Sequence, residues 1–250
     1  MTGTEATPSL GNLFASTCWT VVLEAAESQE SGRARAALAE LCKTYWQPLY
    51  LYLRRKGYDR PDAQDLTQSF FFDLIQSRSF ARAERAKGKF RSFLLGALKH
   101  FLADARDHDG AQKRGGNVIA VPLSEAALIE AEASHSSNNG GSAEQIFERE
   151  WAAALLRRTI ARLEQEYSLA GKSPLFDCLR SHISPSMGTA APYEELAARL
   201  GRKPATVRMD VMRLRDRYRA VLREEVTATV QDSAQAEDEL RYLYQVVTVG

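Results

Sequence analysis

Between Arg199 and Arg223 nine basic residues face only Asp210 and Asp216, a local excess of +7 in a chain whose net charge is +1. Their spacing suggests a use. Tyr193–Leu200 has the pattern of a short amphipathic helix with Leu196, Ala197 and Leu200 inward, and Gly201 is the residue type that closes a helix in the left-handed conformation. Pro204 suits the start of a longer helix, in which Val207, Val211, Leu214, Tyr218 and Val221 step by four, three, four and three. Lys203, Thr206, Arg208, Met209, Arg213 and Arg217 are left to the turn and the other faces. A short helix, a glycine turn and a basic second helix can seat side chains in a DNA major groove. There arginine grips a guanine edge or a phosphate. A surface helical hairpin whose charges merely face water has the same pattern, so spacing alone leaves both open.

A second constellation lies near residue 65. Asp62, Asp65 and Gln68 are three apart and share a helix face, bordered by Ser69 and Phe72. Phe70, Phe71 and Phe72 point about 100° apart around the helix. One buried stripe does not absorb all three, so at least one ring is expected at a second interface or in solvent. Together these residues suit docking of a basic protein surface. Acids placed at a helix N-terminus by its dipole, beside generous core packing, explain the same residues. Catalytic patterns are weaker. Cys178 and His182 are four apart on an expected helix, but two ligands do not make a zinc site. Asp59, Asp62 and Asp65 have no His, Lys or second carboxylate set converging on them. No G-x-G-x-x-G or P-loop pattern appears. The expectation is a protein that is not an enzyme and uses no cofactor or metal.

The elements that must position these residues read as helices nearly throughout. Leu38, Leu41, Cys42, Tyr45, Leu49, Tyr52 and Leu53 form one stripe, with Pro48 expected to kink or divide it. Gly57–Pro61 reads as a turn, and helices follow at about Pro61–Gln76 and Phe90–Arg106. Asn117–Val121 is the nearest approach to a strand. Order weakens from about Gly115 to Ser142, where His135–Ser142 is a polar run suited to a flexible linker. Helical pattern resumes at Ala143, and a shorter helix after Gly171 holds Leu175, Phe176, Leu179 and Ile183. The expected fold class is all-α, two helical domains joined by a flexible acidic linker.

Charge alternates in blocks along 250 residues: +5 over Arg85–Arg114, −5 over Pro122–Glu150, +7 over Arg199–Arg223 and −5 over Glu224–Gly250. Two basic segments separated by an acidic connection suit two footprints on a polyanion, or simply solvated helix faces. No run of about 18 apolar residues appears, and no basic start precedes an apolar stretch, so neither a membrane span nor a secretory signal is expected. Cys18, Cys42 and Cys178 are odd in number and far apart, which fits a reducing, cytoplasmic setting.

Three segments carry a family resemblance. Asp62-Ala63-Gln64-Asp65-Leu66-Thr67-Gln68-Ser69-Phe70-Phe71 resembles the D-A-E-D-L-x-Q-E-x-F stretch of extracytoplasmic-function (ECF) sigma factors. Lys89-Phe90-Arg91-Ser92-Phe93-Leu94, followed by Asp104 and Arg106, is similar to the family's F-R-x-W-L helix and D-x-x-R ending. Tyr193–Gly201 and Thr206-Val207-Arg208 resemble the S-Y-E-E-I-A-x-x-L-G and G-T-V-K of its C-terminal domain.

The resemblance implies a factor that carries core RNA polymerase to promoters. Asp62, Asp65, Gln68, Phe71 and Phe72 would bind the β′ clamp coiled coil, with the β flap as a further contact. Lys99, His100, Arg106, Lys113 and Arg114 would engage the minus-ten element. Lys203, Thr206, Arg208, Met209, Arg213 and Arg217 would engage the minus-thirty-five element. An anti-sigma protein is a further possible partner, and no membrane is implied. The implied division is 1–30 as an N-terminal helical extension, 31–115 as sigma domain 2, 116–145 as linker, 146–225 as sigma domain 4 and 226–250 as an acidic tail helix. That tail and the amphipathic Phe14–Leu23 extend past a minimal core, either packing on it or masking a basic surface. The chain departs from the family at Lys99-His100, where an R-N pair is common, and at Arg106-Asp107-His108-Asp109, where the basic run is diluted. It departs again at Asp210, where Arg is frequent and an Asp would instead accept from a cytosine amine, and at Met209 and Met212, where polar or basic residues are usual. An operator-binding helix-turn-helix regulator is the other reading; it explains Arg199–Arg223 and leaves Asp62, Asp65, Gln68 and the Phe triplet without a role.

Overall fold

The computed structural model describes residues 32–76, 89–108, 128–129, 131–133, 140–183, 189–230 and 234–249. Of these, 86% are helical and none lies in a strand. The helices are α1 (Gly32–Arg55), α2 (Arg60–Gln76), α3 (Phe90–His108), α4 (Ala143–Leu169), α5 (Ser173–Leu179), α6 (Tyr193–Leu200), α7 (Pro204–Thr227) and α8 (Ala234–Val249), with a 3-10 turn at Arg180–His182. No described helix is long and apolar enough to cross a membrane. Lys113, Arg114, Phe14–Leu23, Asn117–Val121 and residues 135–139 lie outside the described residues, as does the side chain of Arg106.

The chain divides into two compact units, Met1–Ala154 with Thr227–Gly250 and Leu155–Val226. This differs from the expected division in two places. Residues 146–154 of α4 and the acidic tail both belong to the first unit rather than to the second domain and a separate extension. The reason is visible in the side chains: Ile146, Phe147, Trp151, Leu240 and Leu243 are all buried.

In the first unit, the second half of α1 is deeply enclosed. Tyr45, Trp46, Leu49, Tyr50, Leu51, Tyr52 and Leu53 are all buried, so this part of the helix is covered on nearly every side. Pro48 lies inside it, and one continuous helix runs past the expected break. A helix interior proline costs about 3 kcal/mol. Seven large buried side chains at roughly 1.5–3 kcal/mol each outweigh that. Trp46 stacks on Tyr50 at 4.9 Å and Tyr45 meets Phe90 edge-on at 5.1 Å. The turn after α1 closes on Gly57 at φ 96. Asp59 then caps α2, its Oδ1 accepting the Asp62 N–H at 2.8 Å.

Several described residues of the segment expected to be a flexible linker are tied to the first unit. Leu128 and Ala131 are buried. Glu132 accepts from Arg54 Nε at 2.8 Å and Nη2 at 3.1 Å, and from the Tyr50 hydroxyl. Burial, then the carboxylate beside it, pushes the Tyr50 hydroxyl pKa up. Ser142, the last residue of the polar run, opens α4 with a reciprocal cap: its Oγ accepts the Gln145 N–H at 3.2 Å, and Gln145 Oε1 accepts the Ser142 N–H at 2.8 Å.

The C-terminal helix is fastened to the start of α3. Arg91 is only 5% exposed. It donates to Glu239 from Nε at 2.7 Å and Nη2 at 3.1 Å, and to Glu148 from Nη1 at 2.6 Å. Its guanidinium lies 4.6 Å from the Trp151 ring and 4.2 Å from that of Tyr242. Lys89 Nζ adds a contact to Glu239 at 2.7 Å, and the Phe90 N–H donates to Thr229 O at 3.2 Å. Burial opposes the charged form of Arg91, but Glu239 and Glu148 more than offset it and raise the pKa. Burial pushes the Glu148 carboxyl up against the pull of Arg91.

Leu163, Phe176, Leu179, Leu196, Ala197, Val207, Val211 and Leu214 form the core of the second unit. Of the inward residues expected for α6 and α7, Leu196, Ala197, Val207, Val211 and Leu214 are found there, Leu200 and Tyr218 pack partly buried against it, and Val221 is buried outside this cluster.

Removing the Arg91 side chain takes the guanidinium from the buried Glu239 and the part-buried Glu148 and leaves Lys89 as the cation beside them. We expect Arg91→Ala to lower unfolding stability by about 3–5 kcal/mol. Asp238→Ala, on the exposed face of α8, should stay within about 0.5 kcal/mol. Urea unfolding of both variants checks the contrast.

Candidate nucleic-acid interface

The α6–α7 hairpin is shaped by its turn. Gly201 sits at φ 62, ψ 34. That left-handed conformation lets the Arg202 N–H reach Ala197 O at 2.9 Å and the Gly201 N–H reach Ala198 O at 3.3 Å, closing α6 with the paired bonds of a Schellman motif. The Lys203 carbonyl then accepts the Thr206 and Val207 N–H groups at 2.9 and 3.2 Å, so α7 starts at once with Pro204 in its first position.

With Val207, Val211 and Leu214 buried, the opposite face of α7 is open. Lys203, Thr206, Arg208, Met209, Met212 and Arg213 are exposed. Arg208 lies 5.5 Å from the Tyr193 ring and 3.6 Å from Glu194, which aims it along the start of the hairpin. The other face of this arrangement is stiff: His182 stacks on Tyr193 at 5.2 Å and its Nε2 lies 3.1 Å from Ala191 O. That contact, and the half-buried free thiol of Cys178, describe the pair that spacing had suggested as metal ligands. Among the described residues no group of three or more His, Cys, Asp or Glu is placed to hold a metal.

Two residues of the hairpin are used differently from what the sequence suggests. Asp210 is not an open acceptor for a base. It accepts from Arg202 at 2.6 Å and lies 3.9 Å from Arg213, bracing the turn against α7. Arg217 is not on the free face. It donates to Glu166 from Nε at 2.8 Å and Nη2 at 2.7 Å, and to Glu224 at 3.3 Å. Those bonds hold the Glu166 carboxyl below the usual range and raise the Arg217 pKa. Arg158 and Arg162 meet the buried Glu225 at 2.7 and 3.1 Å, so α4 and α7 are tied by a ladder of charge within this unit.

The first unit presents a different surface. Asp62 and Asp65 are exposed and Gln68 and Phe72 half-buried along α2. Phe71 is buried with Phe70, the two rings 5.6 Å apart, and Phe70 also meets Phe101 at 5.7 Å. Of the Phe triplet only Phe72 reaches the acidic row, which corrects the expectation for Phe71. On α3, His100 is exposed. Lys99 reaches Glu144 Oε1 at 3.0 Å, and Lys56 approaches the same oxygen at 3.7 Å. The hydrogen bond from Lys99 is the main reason the Glu144 carboxyl is lowered to about 2. Burial and Glu144 together push the Tyr52 hydroxyl up to about 12.

Comparison with family models, curated proteins and solved structures returns no match.

Sequence reading had no signal for the Asp210 brace or the Tyr193–Arg208 contact, since each joins two elements across a turn. Arg217 was separable in principle: it lies three residues after Leu214 and next to Tyr218, on the border of the buried stripe.

Two outcomes follow. Arg217→Ala should lower the stability of the second unit by up to about 1 kcal/mol, the upper range for a partly exposed bidentate pair. Arg213→Ala should leave stability within about 0.5 kcal/mol; thermal unfolding of both variants reads the difference. The Glu144 pKa is depressed on folding, so its small contribution is present above about pH 4.5 and is lost as pH falls towards about 2. The stability gap between the native chain and Glu144→Gln should shrink over that window.

Proposed function

We propose that this chain is an ECF-type sigma factor that binds core RNA polymerase and directs promoter recognition and opening. The observation that carries the reading is the α6–α7 hairpin, whose glycine-closed turn leaves a basic helix face exposed while other arginines of the same segment are engaged internally. In this reading the face takes duplex DNA at the minus-thirty-five element, with Arg208 and Arg213 as base or phosphate contacts and Lys203, Thr206 and Met209 beside them. Asp62, Asp65, Gln68 and Phe72 dock the β′ clamp. Support for that surface is its exposed acidic row next to a half-buried ring. His100, Lys99, Arg106, Lys113 and Arg114 serve the minus-ten element, Lys99 exchanging its partly exposed Glu144 contact for phosphate.

A specific observation favours a second reading, a DNA-binding regulator that works without polymerase. Lys89, Arg91 and Lys99, three of the eight basic residues in Arg85–Arg114, are paired with glutamates of the first unit itself.

Run-off transcription with purified core polymerase on a random promoter library separates the two. The sigma reading predicts discrete promoter-dependent transcripts, and at least a tenfold drop with Asp65→Arg while duplex binding is retained. Duplex binding with no promoter-dependent transcript overturns it in favour of the regulator.

A further inference from the structure

We propose that Met209 and Met212 form an apolar reading edge for the C5-methyl groups of thymines in the major groove, flanked by Arg208 and Arg213. The inference rests on the reading of the second unit as a duplex-DNA binder and names what that surface selects.

Met209 and Met212 are 45% and 50% exposed. They lie three residues apart, neighbours on the helix surface, and opposite the buried Val207, Val211 and Leu214. Folding of the unit does not need them there, because its core closes without them. Around them stand cations: Arg208 is 62% and Arg213 72% exposed at the side chain. A partner for this face must therefore combine apolar points with surrounding negative charge. The major groove of duplex DNA does so, its phosphates flanking base edges on which the thymine methyl is the apolar group.

The acidic candidate of this segment is withdrawn from base reading. The Asp210 side chain is 11% exposed and occupied by Arg202 at 2.6 Å. A cytosine amine would find no free carboxylate there. Two methionines and two arginines remain, beside Lys203 and Thr206, near the start of the helix, the part that meets base edges in helix-turn-helix docking. Three residues span about 4.5 Å along the axis, comparable with one to two base-pair steps of about 3.4 Å. The flexible thioether chains can follow methyl groups at neighbouring steps without a fixed geometry.

The test uses the full chain. Duplexes are selected from a random library, and each thymine of the enriched site is replaced singly by deoxyuridine, which removes the methyl and keeps the pairing. Native protein should bind about fourfold more weakly for each recognised methyl removed. Removing two should weaken binding more than about tenfold. In Met209→Ala/Met212→Ala the same replacement should cost less than about 1.5-fold, whereas Met209→Leu/Met212→Leu should retain most of the penalty. Unchanged affinity of native protein for the deoxyuridine duplexes overturns the inference, as does a full penalty in the alanine variant. Loss of core polymerase binding by the alanine variant, with no deoxyuridine penalty in the native chain, assigns the patch to a protein and also overturns it. Failure to enrich any duplex overturns instead the underlying reading of the unit as a DNA binder.

Discussion

A guanidinium buried as deeply as Arg91 stays charged only if carboxylates come in with it, and here they come from far along the chain. Glu148 lies 57 residues away and Glu239 lies 148 away. Neither can be placed without α4 and α8 being placed as well. Trp151 and Tyr242 cover the charge from α4 and α8, and their rings sit 6.4 Å apart. The first unit is thus closed by one cation that draws three chain segments together. Such a cluster adds little net stability against an apolar replacement, yet it is costly to break on one side. Its contribution is to fix which segments meet.

The same rule extends outward. Glu132 is tied to Arg54 and Tyr50, and Glu144 to Lys99 and Lys56. The acidic stretch between the two basic blocks is, wherever described, a set of partners for α1 and α3. In the second unit Glu166, Glu224 and Glu225 take up Arg158, Arg162 and Arg217. Subtracting these pairs from the charge pattern leaves Arg208 and Arg213 among the most exposed cations of α7, beside two bare methionines. Their own carboxylate contacts, to Glu194 at 3.6 Å and Asp210 at 3.9 Å, are long, and the proposed role as a DNA reader rests on these exposed cations.

Much of the helical framework was legible because its causes are local. Gly201 and Pro204 mark a turn through backbone geometry alone, and the step pattern from Val207 to Val221 identifies the buried face of α7. The Gly57–Pro61 turn and the start of α4 at Ala143 read equally well. What failed was decided by distant partners. Pro48 looks like a break until the burial around it is known. Phe70, Phe71 and Phe72 cannot be sorted by a 100° step, since the first two pack inward and only Phe72 borders the acidic row. Residues 128–133 look like linker because composition cannot show that Glu132 has Arg54 waiting for it. For the interface, the exposed set of Arg208, Met209 and Arg213 was readable, whereas Asp210 and Arg217 were misplaced because each partner sits across a turn or on another helix.

The central claim is that the exposed, loosely held cations of α7, Arg208 and Arg213, make the DNA footprint. Its most direct test is the salt dependence of duplex binding by the full chain. Removing one cation that holds a phosphate should flatten the plot of log affinity against log salt by about one unit. If Arg208 and Arg213 hold phosphates or charged groove edges, replacing either with alanine should lower the slope, while Arg241→Ala, on the exposed face of α8, should leave it unchanged. A slope that falls with Arg241→Ala or is indifferent to both α7 substitutions would contradict the claim.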